Sequence, residues 1–75
     1  MNASLLDRIT IEAGKCGGKP CIRGMRIRVS DIREMIGEGV SMEQILIDFP
    51  DLEREDILAS LQFAARRSDI VRLAA

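Results

Sequence analysis

The sequence predicts a small, mainly helical domain: three helices of helix-turn-helix-like outline, preceded by a short N-terminal antiparallel β-ribbon. Three observations predict it. Apolar residues recur at helical spacing in three segments between residues 30 and 66. Capping and breaking residues (Ser30, Gly37, Gly39, Ser41 and Pro50) separate those segments. Upstream, two short runs alternate apolar and polar residues around a Gly-rich stretch. At 75 residues the chain has room for a single domain. Residues 9–29 make the ribbon and loop, 30–66 the three-helix core, and 67–75 a C-terminal helix end or tail.

Ile9-Thr10-Ile11 alternates as a half-buried strand does. Gly14 to Pro20 must turn. Cys21-Ile22-Arg23 reads as a short strand broken at Gly24. Met25 to Val29 reads as another, with Met25, Ile27 and Val29 inward and Arg26 and Arg28 outward. Two or three such strands do not persist alone in water and must pack on the helices or on a second chain. Ser30 is placed to cap the first helix, with Asp31 in its first turn. Ile32, Met35 and Ile36 form its apolar stripe. Ser41 caps the second helix, with Gln44 spaced to complete a capping box. Met42, Ile45, Leu46 and Phe49 share one face of it, and Pro50 ends it. A third helix starts near Arg54, with Glu53, Glu55 and Asp56 at its positive end and Ile57, Leu58, Leu61, Ala64 and Ala65 as its buried stripe.

Composition bounds the function. A chain this short buries only about 60% of its extended surface, so a partner chain is expected to complete it, most simply as a homodimer. No apolar run reaches the ~20 residues of a membrane span, and the first residues lack a signal-peptide stretch, which points to the cytoplasm. Cys16 and Cys21 are then expected as free thiols. Two thiols without histidine make half a zinc site at most, so no metal or cofactor is expected. Histidine is absent, and no Ser or Cys has an evident base, which argues against an enzyme.

The formal net charge of −1 conceals a division. Residues 15–28 carry Lys15, Lys19, Arg23, Arg26 and Arg28 with no acid, while residues 34–56 carry eight acids against Arg54 alone. Such separation marks a surface for an anion or a protein, or else two solvated faces. Gly18-Lys19-Pro20 is no phosphate loop, because Ala13 and Pro20 occupy positions that motif reserves for Gly and for Ser or Thr. Arg23 and Arg26 suit phosphate or carboxylate contact. Equally, they suit pairing with acids of the helices, such as Glu34 or Asp48.

The run Gly18-Lys19-Pro20-Cys21-Ile22-Arg23-Gly24-Met25-Arg26-Ile27 resembles the signature of the domain-of-unknown-function family numbered 433. The similarity continues through Asp31-Ile32, Gly39, Glu43-Gln44-Ile45-Leu46, Phe49-Pro50-Asp51-Leu52, Glu55-Asp56-Ile57 and Leu61 to Ala65, covering roughly residues 9–65. Two positions depart from it: Met25 stands where the family usually has Thr, and Glu53 where Thr or Ser usually caps the third helix. The resemblance implies a homeodomain-like helical fold behind a small β element. It also implies a type II antitoxin of VapB type, which dimerises, neutralises a cognate PIN-like ribonuclease toxin and binds its own operator DNA. The alternatives are a stand-alone DNA-binding regulator and a non-catalytic interaction module.

For DNA, the acids opening the third helix would face phosphates and repel them, so the basic ribbon is the better candidate. If Lys15, Lys19, Arg23, Arg26 and Arg28 of two chains all reached phosphates, log affinity would fall with log salt at a slope of about −9, an upper bound. For a nuclease, one of Arg66, Arg67 or Arg72 would enter the toxin's carboxylate-lined metal site, while Ile70, Val71 and Leu73 anchor nearby. The competing reading of these arginines is a solvated helix end, where cations suit the dipole.

Overall fold

The computed structural model describes the backbone of residues 4–74 and the side chains of residues 4–66. A 3-10 turn, Leu5–Arg8, leads into strand β1 (Ile9–Thr10). A second 3-10 turn, Cys16–Gly18, precedes strand β2 (Cys21–Ile22). Three helices follow: α1 (Val29–Gly37), α2 (Met42–Asp48) and α3 (Arg54–Ala74). This is the expected order of a short ribbon and three helices, with α2, a tight turn and α3 in sequence.

β1 and β2 pair antiparallel, Ile9 opposite Ile22 and Thr10 opposite Cys21. The strand expected over Met25 to Val29 shrinks to a single bridge, Cys21 opposite Arg28. Bonds from the Ile22 N–H to the Ile27 carbonyl (2.9 Å) and from the Val29 N–H to the Pro20 carbonyl (3.0 Å) hold it. It ends there because Val29 already belongs to α1. The alternation still holds in burial, with Val29 buried, Met25 and Ile27 packed on the core, and Arg26 exposed.

The turn between these segments has left-handed backbone at Arg23 (φ 43°) and Gly24 (φ 72°), and the Met25 N–H closes it on the Ile22 carbonyl at 2.6 Å. Glycine takes that geometry without steric cost. The Gly24 N–H also donates to Thr10 Oγ1 at 2.9 Å, tying the turn back to β1. Arg23 has no such freedom, and its side chain shows what holds it there.

α1 starts earlier than Ser30. Its N-cap is Arg28, whose N–H donates to Asp31 Oδ2 at 3.2 Å. The carboxylate at the third helical position does the capping, so a hydroxyl at Ser30 is not required. Ser41 caps α2 as expected, accepting from the Gln44 N–H at 3.1 Å. The box is not completed, because the Gln44 amide donates forward to Asp48 Oδ1 at 2.9 Å. At the head of α3, Asp56 accepts the Glu53 N–H at 2.8 Å, the reciprocal half of a box, without the hydroxyl that Glu53 lacks.

Ile22, Val29, Ile32, Ile45, Leu52 and Ile57 form the buried core, drawn from β2, the three helices and the turn before α3. Met35, Ile36, Met42, Leu46, Phe49 and Leu61 pack around it, as their helical spacing requires. The buried face of α3 is rotated from expectation. Ala65 is exposed, whereas Asp56, Ala59 and Ser60 are buried with Ile57 and Ala64. Two of these are polar and stand outside the expected stripe; both are satisfied by hydrogen bonds, Ser60 through its hydroxyl to the Asp56 carbonyl at 3.0 Å.

Cys16 and Cys21 are joined as a disulfide, not free thiols. The 3-10 turn folds the loop back so that their Cα atoms stand 6.7 Å apart. Among the described residues, no helix is long and apolar enough to cross a membrane.

Gly24→Ala is expected to destabilise the chain by about 1 kcal/mol or more, because the left-handed backbone penalises any Cβ. Urea unfolding of both proteins under identical redox conditions measures it.

Candidate interaction surface

The most specific polar arrangement in the molecule centres on Asp56, which has no exposed surface. Its Oδ1 accepts from Arg8 Nη1 and Arg23 Nε, each at 3.0 Å. Its Oδ2 accepts from Arg23 Nη2 and from the Glu53 N–H, each at 2.8 Å. Arg23 therefore grips the carboxylate with both arms of its fork. Arg23 Nη2 also donates to the Asp51 carbonyl at 3.0 Å, and Arg8 Nη1 reaches Glu53 Oε1 at 2.6 Å. Among the described residues, every buried side-chain polar atom has a partner.

Burial, the largest single influence, pushes the Asp56 carboxyl up. Hydrogen bonds from Arg23, the Glu53 N–H and Arg8 together outweigh it, so the group titrates below the usual aspartate value. Reciprocally, Glu53 and Asp56 hold Arg8 above its ordinary value, and Asp56 does the same for Arg23.

This knot resolves the choice posed for Arg23. Its partner is an acid of the helices, but neither Glu34 nor Asp48: Asp56 takes it instead. The acids opening α3 are accordingly not all aimed at solvent. Glu53 and Asp56 are neutralised from within, and Glu55 alone of the three remains exposed without a described ion pair. The repulsion expected at this helix end is reduced to match.

The other residues of the basic ribbon divide. Arg28 pairs with Asp31 at 3.2 Å on the surface, a contact worth little. Lys15 stands 4.0 Å from Glu12. Lys19 and Arg26 are exposed and make no ion pair with a described acid. Nor do they converge, because they lie on opposite flanks of α1. Lys19 lines a cleft of about 230 Å³ with Pro20, Val29, Ser30, Arg33, Phe63 and Ala64. Arg26 lines a second, of about 280 Å³, with Ile27, Asp31, Glu34, Met35, Glu38 and Phe49. One helix thus separates a cationic cleft from a predominantly acidic one.

Arg66 is exposed on α3. The side chains of Arg67, Ile70, Val71, Arg72 and Leu73 lie outside the described residues. Sequence reasoning missed Arg8 as a partner of Asp56, though Ser4-Leu5-Leu6-Asp7 carries the pattern of a capped turn that fixes its position. It also missed Arg33, which sits in a stretch whose charges cancel, so no run of like charge draws attention to it.

A family model described as "Protein of unknown function (DUF433)" matches residues 9–64. Among solved structures, the chain is similar to a DUF433 member protein from Anabaena variabilis, with a TM-score of 0.78 and 27% sequence identity. That match covers 89% of this chain but 66% of the other, so this chain spans just under two thirds of that protein's length. No curated protein matches the chain.

Asp56→Asn is expected to lower the unfolding free energy by about 1–2 kcal/mol, because a buried amide group is set against donors that Asp56 accepts from, while the partly exposed guanidinium groups are resolvated. Urea unfolding measures the change. A carboxyl depressed by folding stabilises the native state above its unfolded pKa and loses that contribution as pH falls through its folded value. Stability should therefore decline below about pH 4, with a shallower decline in Asp56→Asn, read from urea midpoints across an acid series.

Proposed function

This chain belongs to the DUF433 family, whose function is unknown, and we propose for it the role that the family resemblance implies: it is a type II antitoxin that binds and occludes a cognate PIN-like ribonuclease. It acts without catalysis, as a homodimer, and contacts operator DNA secondarily through exposed cations of the ribbon other than Lys19. The observation that carries this reading is the length of α3. The helix runs from Arg54 to Ala74, while Ala64 is its last buried position among the described residues. Its backbone therefore continues about 15 Å beyond Ala64. That segment begins with exposed Arg66 and has a sequence that interleaves Arg67 and Arg72 with Ile70, Val71 and Leu73. Guanidinium groups beside apolar residues suit a carboxylate-lined nuclease site, where a planar fork meets carboxylates in pairs and greasy neighbours exclude water.

The fate of the ribbon supports a protein partner ahead of DNA. Arg23 is committed to Asp56, which removes a cation from any phosphate-binding row and leaves the remainder split between two flanks of α1. A stand-alone regulator that reads DNA through a continuous basic ribbon loses its central contact.

Co-expression with the product of the neighbouring gene, assayed as a ribonuclease, is the test. The expected result is a co-purifying complex with suppressed ribonuclease activity, and loss of both when residues 67–75 are deleted from a chain that still shows helical circular dichroism. A nuclease that neither co-purifies nor loses activity would overturn the reading.

A further inference from the structure

The cationic cleft beside α1 has the makings of a second contact site. Its apolar lining is Pro20, Val29, Phe63 and Ala64, with Val29 and Ala64 buried beneath it. Its rim carries Lys19, Arg33 and the Ser30 hydroxyl. Lys19 and Arg33 are exposed, and no described acid pairs with either. Two positive charges therefore stand over a greasy surface with nothing in the described chain to neutralise them. By contrast, Arg28 nearby is occupied by Asp31.

We propose that this cleft docks an acidic segment of a protein partner. A carboxylate seats between Lys19 and Arg33, and an adjoining aliphatic or aromatic side chain lies against Pro20, Val29 and Phe63. The planar guanidinium of Arg33 matches a carboxylate with two parallel hydrogen bonds, and the flexible ammonium of Lys19 adds a movable charge. Two features select a peptide over nucleic acid. A phosphodiester backbone leaves the apolar lining unused, whereas a carboxylate flanked by an apolar residue covers both lining and rim. The acids concentrated in residues 34–56 oppose the approach of a long polyanion, while a local pair of cations attracts a single carboxylate. The inference rests on the reading of this chain as a protein-binding module, and gives that module a surface separate from the C-terminal segment.

The test is a titration of isotope-labelled full-length chain, followed by amide chemical shifts. The probes are a capped tetrapeptide of leucine, glutamate, aspartate and phenylalanine, its glutamine–asparagine counterpart, and a short DNA duplex. The acidic peptide should give saturable shifts centred on Lys19, Ser30, Arg33, Phe63 and Ala64. Its neutral counterpart should bind roughly tenfold more weakly or not at all. Arg33→Glu, a change at an exposed helix position, should abolish the shifts while circular dichroism stays unchanged. Absence of saturable shifts at millimolar peptide, equal binding of the neutral peptide, or preferential binding of the duplex at these residues would each overturn the proposal. A nuclease complex that forms while the peptide fails to bind removes this cleft and leaves the toxin-binding reading standing. Peptide binding without a nuclease complex supports the cleft and removes the toxin.

Discussion

The fold depends on one buried carboxylate. Asp56 sits at the head of α3, and the groups that satisfy it come from three places: the 3-10 turn through Arg8, the hairpin tip through Arg23, and the α3 N-cap through the Glu53 N–H. An aspartate with no exposed surface is costly unless every oxygen is paired, and here both are doubly paired. The same contacts explain the left-handed backbone at Arg23. A long side chain that must reach Asp56 and the Asp51 carbonyl has its backbone conformation set by those partners. The apolar core is small, so a polar lock of this kind supplies directional specificity that six buried aliphatic residues do not supply alone.

This lock also sorts the charges of the surface. The cations of residues 15–28 look equivalent along the chain, yet the fold pairs Arg23 with the buried Asp56, leaves Arg28 in a weak surface pair, and sends Lys19 and Arg26 to different clefts. What the chain offers a partner is therefore a set of separate small sites, not a continuous positive strip. Arg33, supplied by a helix outside the basic run, joins Lys19 at one of them.

Much of this was legible beforehand where local rules govern. Pro50, Ser41 and the Gly37-Glu38-Gly39 stretch delimit helices through backbone constraints that act within a few residues. The stripe Met42, Ile45, Leu46 and Phe49 faces the core because helical geometry leaves it one apolar side. What was not legible depends on distant partners. Asp56 reads as one of the outward acids opening the third helix, and the arrival of Arg8 and Arg23 makes its position burial-compatible. Ala65 reads as core by its helical spacing, but an alanine carries too little apolar area to hold a helix face inward. The division of the basic run depended on which cation met Asp56, a question of tertiary geometry that charge counting does not pose.

The separation along the chain between the members of the Asp56 cluster sets an order of events during synthesis. Arg8 and Asp56 are 48 positions apart, and Arg23 and Asp56 are 33 apart. The N-terminal turn and hairpin emerge first from the ribosome, but the acid that locks them is made much later. Until it is, these segments carry strands too short to persist and two arginines without the carboxylate they share. The polar contacts of the ribbon therefore cannot be completed until the head of α3 has been made.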